Sequence, residues 1–434
     1  MSMHIDIAEK EPKMNMVMHN KIQDLDIIST MPDGVISHIM NFLITKQAVQ
    51  TCILSKRWKD LWKSLPTFKI SREHFGSAEQ FKKFVSKVLQ NREESSLHSV
   101  VVEHQGYIPS NILSKMTNIA LSKKVEKFIV GTFLRDQKSN MLPFHSIFFL
   151  RSLKCLDLTF HTNGSTKVKL PETIYLPELV ECHLRDVAIT SSGGNDCVNP
   201  FIESKKLITL VMDHCELIGD AKMVFISGDN LASVTIRFRE FDGNFFKFQI
   251  SAPNLKAFNF AGYLASKNNQ IFEHNLEFIE VSSITAYSTL YSPEDLDILK
   301  NWFKRISNVR SLILSSMVLK CVSSFTNFPN VESSGFGNLK SLTVILQKGV
   351  PITCLYSIIM DYLLQDSPHA EIIQGSVALP GLSQKVTVNS TGSVAFSGLS
   401  QKLSANSTRF LAFFGLSQKL SANSTEFLAF SSFL

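Results

Sequence analysis

One apolar triplet, L-x-x-L-x-L with other apolar residues allowed, recurs ten times and constrains the fold more than any other feature of the chain. It occurs at Leu97/Val100/Val102, Val125/Phe128/Val130, Leu153/Leu156/Leu158, Leu179/Cys182/Leu184 and Leu207/Leu210/Met212. It continues at Leu231/Val234/Ile236, Leu255/Phe258/Phe260, Leu276/Ile279/Val281, Val309/Leu312/Leu314 and Leu339/Leu342/Val344. The last two positions of each triplet lie two residues apart, so both face the same side of a short strand, and the first anchors the chain ahead of it. A single unit cannot hide its apolar face. Stacked units share a continuous core and pair their strands in parallel.

The starts of these triplets are separated by 21 to 33 residues. The mean is about 27, the period and strand signature of leucine-rich repeats. The expected fold class is therefore an α/β solenoid, an irregular horseshoe with a parallel sheet, over residues 66–375 with about ten strand repeats. The Asn expected after each strand is mostly missing, which leaves the repeat subtype open. Ser77 followed by Gln80 reads as a capping box for a helix with a stripe of Phe81, Phe84, Val85, Val88 and Leu89. A second stripe, Ile112, Leu113, Met116, Ile119 and Ala120, precedes the Val125 strand. Both helices are expected to pack behind the first strands.

Composition narrows the function classes. The chain has 434 residues, 44% hydrophobic and 19% charged, which is globular rather than disordered. Its 33 Phe against 7 Tyr and 3 Trp favour a large interior without hydroxyls in search of partners. Seven cysteines without a CxxC pair argue against a disulfide framework or a zinc module and suit a reducing compartment, cytoplasmic or nuclear. The N-terminus lacks the apolar segment of a secretion signal, and no apolar run of eighteen residues is present, so no membrane association is expected. The net charge of +6 is too small to imply nucleic acid. No phosphate-loop, G-x-S-x-G or H-E-x-x-H motif occurs, so no catalytic residues, metal or cofactor are expected. The Cys182-His183 and Asp213-His214-Cys215 pairs lack zinc-ligand spacing.

Two segments depart from the repeat pattern. After residue 376, Gly381–Ser397, Gly398–Phe414 and Gly415–Ser431 are three copies of a 17-residue unit opening Gly-Leu-Ser-Gln-Lys, a low-complexity tail. Residues 24–65 follow a disordered stretch, 1–23, and read as three short helices. Pro32 opens the first, with Val35, Ile36, Ile39, Phe42 and Leu43 as its apolar face; Thr45 caps the second and Ser55 the third. Twenty of these 42 residues are apolar, including two of the three tryptophans. A unit of about forty residues cannot bury so much by itself, so either the repeat domain or a partner protein must cover a face. Lys56, Arg57, Lys59 and Lys63 against Asp60 favour an acidic partner.

The runs Asp26-Ile-Ile-Ser-Thr-Met-Pro-Asp-Gly-Val-Ile-Ser-His-Ile-Met-Asn-Phe-Leu43 and Cys52-Ile-Leu-Ser-Lys-Arg-Trp-Lys-Asp-Leu-Trp62 resemble an F-box. They are most similar to the form in plant F-box/leucine-rich-repeat proteins of the FBD-type subfamily, and with Leu363-Leu-Gln-Asp-Ser-Pro-His369 the resemblance spans roughly residues 24–375. Met31 and Ile36 stand where Leu is usual, and no FBD-type module is visible after Ile373. The resemblance implies the substrate-recognition subunit of a Skp–cullin–F-box ubiquitin ligase, without catalysis of its own. The F-box would dock on a Skp-type adaptor, acidic in that family, and through it on a cullin. The adaptor contacts implied are Met31, Pro32, Ile36, Ile39, Leu43, Val49, Leu54, Trp58 and Leu61, with Trp58 as the anchor. A repeat scaffold without a ligase role, a decayed copy, is the alternative.

Outward residues of the strands would hold an unknown target protein. The band expected to do so is His183, Arg185, Asp213, Arg237 and Glu280.

Overall fold

The apolar triplets fold as strands of one parallel sheet whose spatial order is the order of the chain. The computed structural model describes residues 30–376 except 93–96, 104–105, 135–143, 163–167, 193, 195, 239–245, 265–271, 274, 288–292, 326–334, 347–354 and 356–357, together with Thr387–Val388 and Val394–Ala395. Within these residues the main sheet has twelve strands. They are β1 (Thr67–Ile70), β2 (Ser99–Val102), β3 (Lys127–Leu134), β4 (Cys155–Thr162), β5 (Glu181–Arg185) and β6 (Thr209–Asp213). The second half comprises β7 (Ser233–Arg237), β8 (Ala257–Gly262), β9 (Val281–Ala286), β10 (Ser311–Ser315), β11 (Ser341–Leu346) and β12 (Glu371–Ser376). Each strand pairs in parallel with the next in sequence, an α/β repeat arrangement.

Registration of the apolar row explains the regularity. Leu156, Cys182, Leu210, Val234, Phe258, Ser282, Leu312 and Leu342 stand side by side across β4 to β11, all buried. A slip of one residue in any strand would turn its apolar side chains to water, so burial fixes the register.

That row corrects one triplet and adds two. Leu276/Ile279/Val281 is out of frame by three residues: the repeat is Ile279/Ser282/Ile284, with Ile279, Ser282 and Ile284 buried and Val281 exposed. Ser282 hides the pattern because it is polar, and its Oγ donates to Phe258 O at 3.1 Å, which satisfies it inside the core. With this frame, Leu207, Leu231, Leu255 and Ile279 follow at constant intervals of 24 residues. The first added repeat is Leu65/Phe68/Ile70 at β1, all buried; the other is β12, where Ile372 packs against the core.

Two helices open the described chain, α1 (Asp33–Asn41) and α2 (Thr45–Gln50). The expected third helix is instead three short 3-10 turns, Thr51–Ile53, Lys56–Trp58 and Leu61–Ser64, and Ser55 makes no side-chain cap. Thr45 does not cap α2 either; its Oγ1 accepts from Lys69 N of β1 at 3.0 Å. Helices α3 (Ala78–Asn91) and α4 (Ser110–Ser122) are the connections from β1 to β2 and from β2 to β3. Ser77 Oγ accepts from Gln80 N at 3.2 Å as the capping box predicts, and Phe81, Val85, Ile112, Leu113 and Met116 are buried.

Between β4 and β8 the return segments are strands. Val168–Leu170, Val187–Ser191 and Glu216–Gly219 form one three-stranded parallel sheet, and Cys197–Val198, Met223–Ser227 and Lys247–Ser251 another. Helices α5 (Pro293–Arg305) and α6 (Ser316–Phe325) flank the last repeats, where Trp302 of α5 meets Phe260 edge-on with ring centres 4.9 Å apart. Of the 1–23 segment and the 17-residue copies, only Thr387–Val388 and Val394–Ala395 are described, as a short antiparallel pair; the remaining expectations there lie outside the described residues.

Adjacent residues on one strand test this facing. Leu312→Ala should destabilise by about 2–5 kcal/mol as a core truncation, and Ile313→Ala on the half-exposed face should cost clearly less. Urea unfolding of both variants measures the difference; equal losses would contradict the assignment.

Candidate functional site

Two surfaces combine exposed side chains in an arrangement that the core does not require. The first lies on the N-terminal helical unit. Pro32 O accepts from Val35 N and Ile36 N, which starts α1 so that Ile36 and Met40 enter the core. The same helix then turns Val35 and, at its end, Phe42 outward. Phe42 is 63% exposed and meets His38 edge-on, with ring centres 5.0 Å apart. The turn after α2 adds Ile53 and Leu54, the latter 45% exposed. Four large apolar side chains on so small a unit are an unusual outlay of exposed surface. Exposed cations border them: Lys56, Lys59 and Arg57, whose Nε lies 2.6 Å from Asp33 Oδ1.

The opposite side of this unit is joined to the sheet. Beyond the Thr45–Lys69 bond, Lys46 Nζ donates to His74 O at 2.5 Å and sits 4.7 Å from the centre of the Phe75 ring. Burial lowers the Lys46 pKa from its ordinary value. The Arg92 guanidinium, its pKa also lowered by burial, donates to Leu65 O. Trp58, Trp62, Leu65 and Phe68 belong to the same continuous core as the repeats.

The implied adaptor residues therefore divide. Pro32 and Leu54 are exposed; Met31, Ile39, Leu43 and Leu61 are half-buried; Ile36, Val49 and Trp58 are buried. At 3% exposure Trp58, expected as the anchor for a partner, has its side chain within the apolar core of the chain rather than outward. The outward apolar positions that the sequence reading left out of the contact set are Val35, Phe42 and Ile53. All three sit in the quoted F-box-like runs. What separates them from core residues is the direction of each side chain, set by α1 ending at Asn41 and by the 3-10 geometry after α2.

The second surface is the outward face of β4 to β7. Arg185, Asp213 and Arg237 share one register row on β5, β6 and β7. Asp213 Oδ2 lies 3.7 Å from Arg185 Nε and 3.9 Å from Arg237 Nη1, and Asp213 Oδ1 lies 3.3 Å from His214 Nε2. Arg185 Nε and Asp213 Oδ1 are buried without a hydrogen bond, so the cluster is held by charge rather than by well-aligned bonds. In the neighbouring row His183 Nδ1 stands 3.7 Å from Asp157 Oδ2, while Asp157 Oδ1 accepts from Thr159 Oγ1 at 3.0 Å. The neighbouring Asp157 carboxylate raises the His183 pKa above the ordinary imidazole value against the opposing effect of burial.

Glu280 does not join this band. It precedes β9 at the N-terminal edge of the sheet, and its carbonyl accepts from Arg310 N and Ser311 N. Cys182 is buried on the face opposite His183, so the two cannot share a ligand. Among the described residues no group of three His, Cys, Asp or Glu side chains could hold a metal, and no helix is long and apolar enough to cross a membrane.

Residues 28–70 match the F-box domain family, a span that runs through β1. The chain is similar to an F-box/FBD/LRR-repeat protein of Arabidopsis thaliana, 26% identical over 344 residues that cover 71% of this chain and 72% of the relative. An FBD-associated F-box protein of the same plant is 24% identical over 381 residues, 84% of this chain and 75% of its own. F-box/LRR-repeat protein 13, again of Arabidopsis thaliana, is 23% identical over 336 residues, 74% and 71%.

The His183–Asp157 pair carries a pH signature. Because the folded pKa is raised, its contribution to stability is complete below the ordinary imidazole value and is lost as pH rises through the folded one. Proton NMR should find His183 titrating above an unperturbed imidazole, and Asp157→Asn should bring the midpoint down. An unchanged midpoint would rule out the pairing.

Proposed function

We propose that this chain is a substrate-recognition subunit of a Skp–cullin–F-box ubiquitin ligase. The observation that carries the reading is the exposed apolar set Val35, Phe42, Ile53 and Leu54, all within the residues that match the F-box domain family. Its size and its cationic border suit an acidic adaptor of the Skp type: apolar area supplies affinity, and charge supplies rate and orientation. Pro32 extends the contact, with the half-buried Met31, Ile39, Leu43 and Leu61 beneath it, and a cullin joins through the adaptor.

The repeat sheet is the target-holding part. The relatives' names, the chain-order parallel sheet and the 24-residue intervals support a leucine-rich-repeat solenoid, in which the outward strand face receives the target. In this reading residues 24–65 dock the adaptor, residues 66–375 hold the target, and the complex works in the cytoplasm or nucleus. The chain performs no bond chemistry of its own. It acts by tethering, which raises the effective concentration of a target beside subunits that transfer ubiquitin. The continuous core between the helical unit and β1 suits that role, because a fixed joint restricts where the target is held.

Two variants separate docking from folding. Phe42→Asp with Leu54→Asp should leave the melting temperature of the full chain nearly unchanged and reduce capture of a purified Skp-type adaptor by at least tenfold, as expected if the pair contributes about 2 kcal/mol. Trp58→Ala should lower the melting temperature by several degrees, because it removes about 3–5 kcal/mol of core packing. Wild-type adaptor capture by the double aspartate variant would overturn the proposal.

A further inference from the structure

The first and last strands of the main sheet are finished differently. In β1 the N–H of Lys69 points away from β2, and Thr45 Oγ1 of the helical unit accepts from it at 3.0 Å. At the other end β12 pairs with β11 alone. Glu371 N donates to Lys340 O at 2.9 Å, so by strand alternation the N–H groups of Ile372 and Gln374 point away from β11. Neither has a hydrogen-bond partner among the described residues. The strand, Glu371-Ile-Ile-Gln-Gly-Ser376, also lacks the lysine or proline that shields an open edge. An unfinished solenoid end invites pairing.

The first of the three 17-residue copies supplies a strand near this edge. Thr387–Val388 pairs antiparallel with Val394–Ala395 as a sheet of its own, and its Cα atoms come within 8 Å of those of β12. Ten residues separate Ser376 from Thr387, a length that can extend about 35 Å against a strand spacing of about 4.8 Å. Sequence sets this copy apart from the other two. It reads Val386-Thr-Val388 where its counterparts read Leu403-Ser-Ala405 and Leu420-Ser-Ala422. Valine and threonine suit a strand better than serine and alanine do. The five residues between the paired strands include Gly392, where the counterparts have Arg409 and Glu426. A loop of that length with a glycine marks a hairpin.

We infer that the first copy is a β-hairpin that adds Thr387–Val388 to the open edge of β12 and closes the C-terminal end of the sheet, as the helical unit closes the other. The interaction is backbone pairing, so its occupant is a β-prone segment held at high local concentration, which a tether of ten residues provides. A closed edge offers no template to a second copy or to the strand of a partner protein. The inference is separate from the Arg185–Asp213–Arg237 band and from the F-box match, and it stands whether or not the chain joins a ligase.

The test is amide hydrogen exchange of the full chain, read residue by residue by mass spectrometry. In the wild type Ile372 and Gln374 should be protected, to the same extent at every protein concentration. Thr387→Pro with Val388→Pro removes two N–H donors from the added strand. It should speed exchange of both amides by about tenfold or more, while Ser341, whose N–H donates to Arg310 O, stays slow. The same change at the counterpart positions of the second copy, Ser404→Pro with Ala405→Pro, should have no effect. Free exchange of Ile372 and Gln374 in the wild type, or protection that survives Thr387→Pro with Val388→Pro, would overturn the inference. So would an equal loss in the second-copy variant, or protection that grows with protein concentration, as pairing with a second chain would give.

Discussion

One shared apolar row holds the molecule together. Every strand of the main sheet contributes side chains to it, and no strand can bury its own without the strands on either side. The row fixes register, and register decides which residues face outward. It also reaches the N-terminal unit, because Leu65, Phe68 and Ile70 form a repeat that lies within the F-box match. The helical unit and the sheet are therefore parts of one packed interior, joined further by Thr45 to Lys69 and by Lys46 to His74.

That continuity divides the twenty apolar residues of the N-terminal segment. Trp58, Trp62, Ile36 and Met40 go inward, which answers how so short a unit is stabilised. Val35, Phe42, Ile53 and Leu54 are left outside. The excess of apolar side chains is thus covered partly by the repeats and, in the proposed function, partly by an adaptor. The identity of the exposed set matters because it moves the expected anchor away from tryptophan, the residue type that hot-spot statistics favour.

Much of the fold was legible because apolar periodicity is a direct consequence of burial. The strand triplets, the α3 stripe and its Ser77 cap could all be read in this way. The misread frame at Leu276 shows the limit: Ser282 is buried as a polar residue, satisfied by Phe258 O, and a pattern built on apolarity steps over it. The 3-10 turns after α2 escaped because Trp58, Leu61, Trp62 and Leu65 have helical spacing without a continuous helix, and Trp58, Trp62 and Leu65 are buried in the core from separate short turns. The return strands between β4 and β8 have short, mixed sequences that signal little locally. At the strand face, alternation identified Arg185, Asp213 and Arg237 as outward neighbours. It misplaced Glu280, because that assignment inherited the shifted frame.

Hydroxyl-radical footprinting of the full chain, alone and with a purified Skp-type adaptor, addresses the division between buried and outward apolar residues most directly. Phe42, Ile53 and Leu54 should be oxidised readily in the free chain and protected in the complex, with Trp58 inert in both. Oxidation of Trp58 in the free chain that the adaptor suppresses, with Phe42 unaffected, would contradict the account.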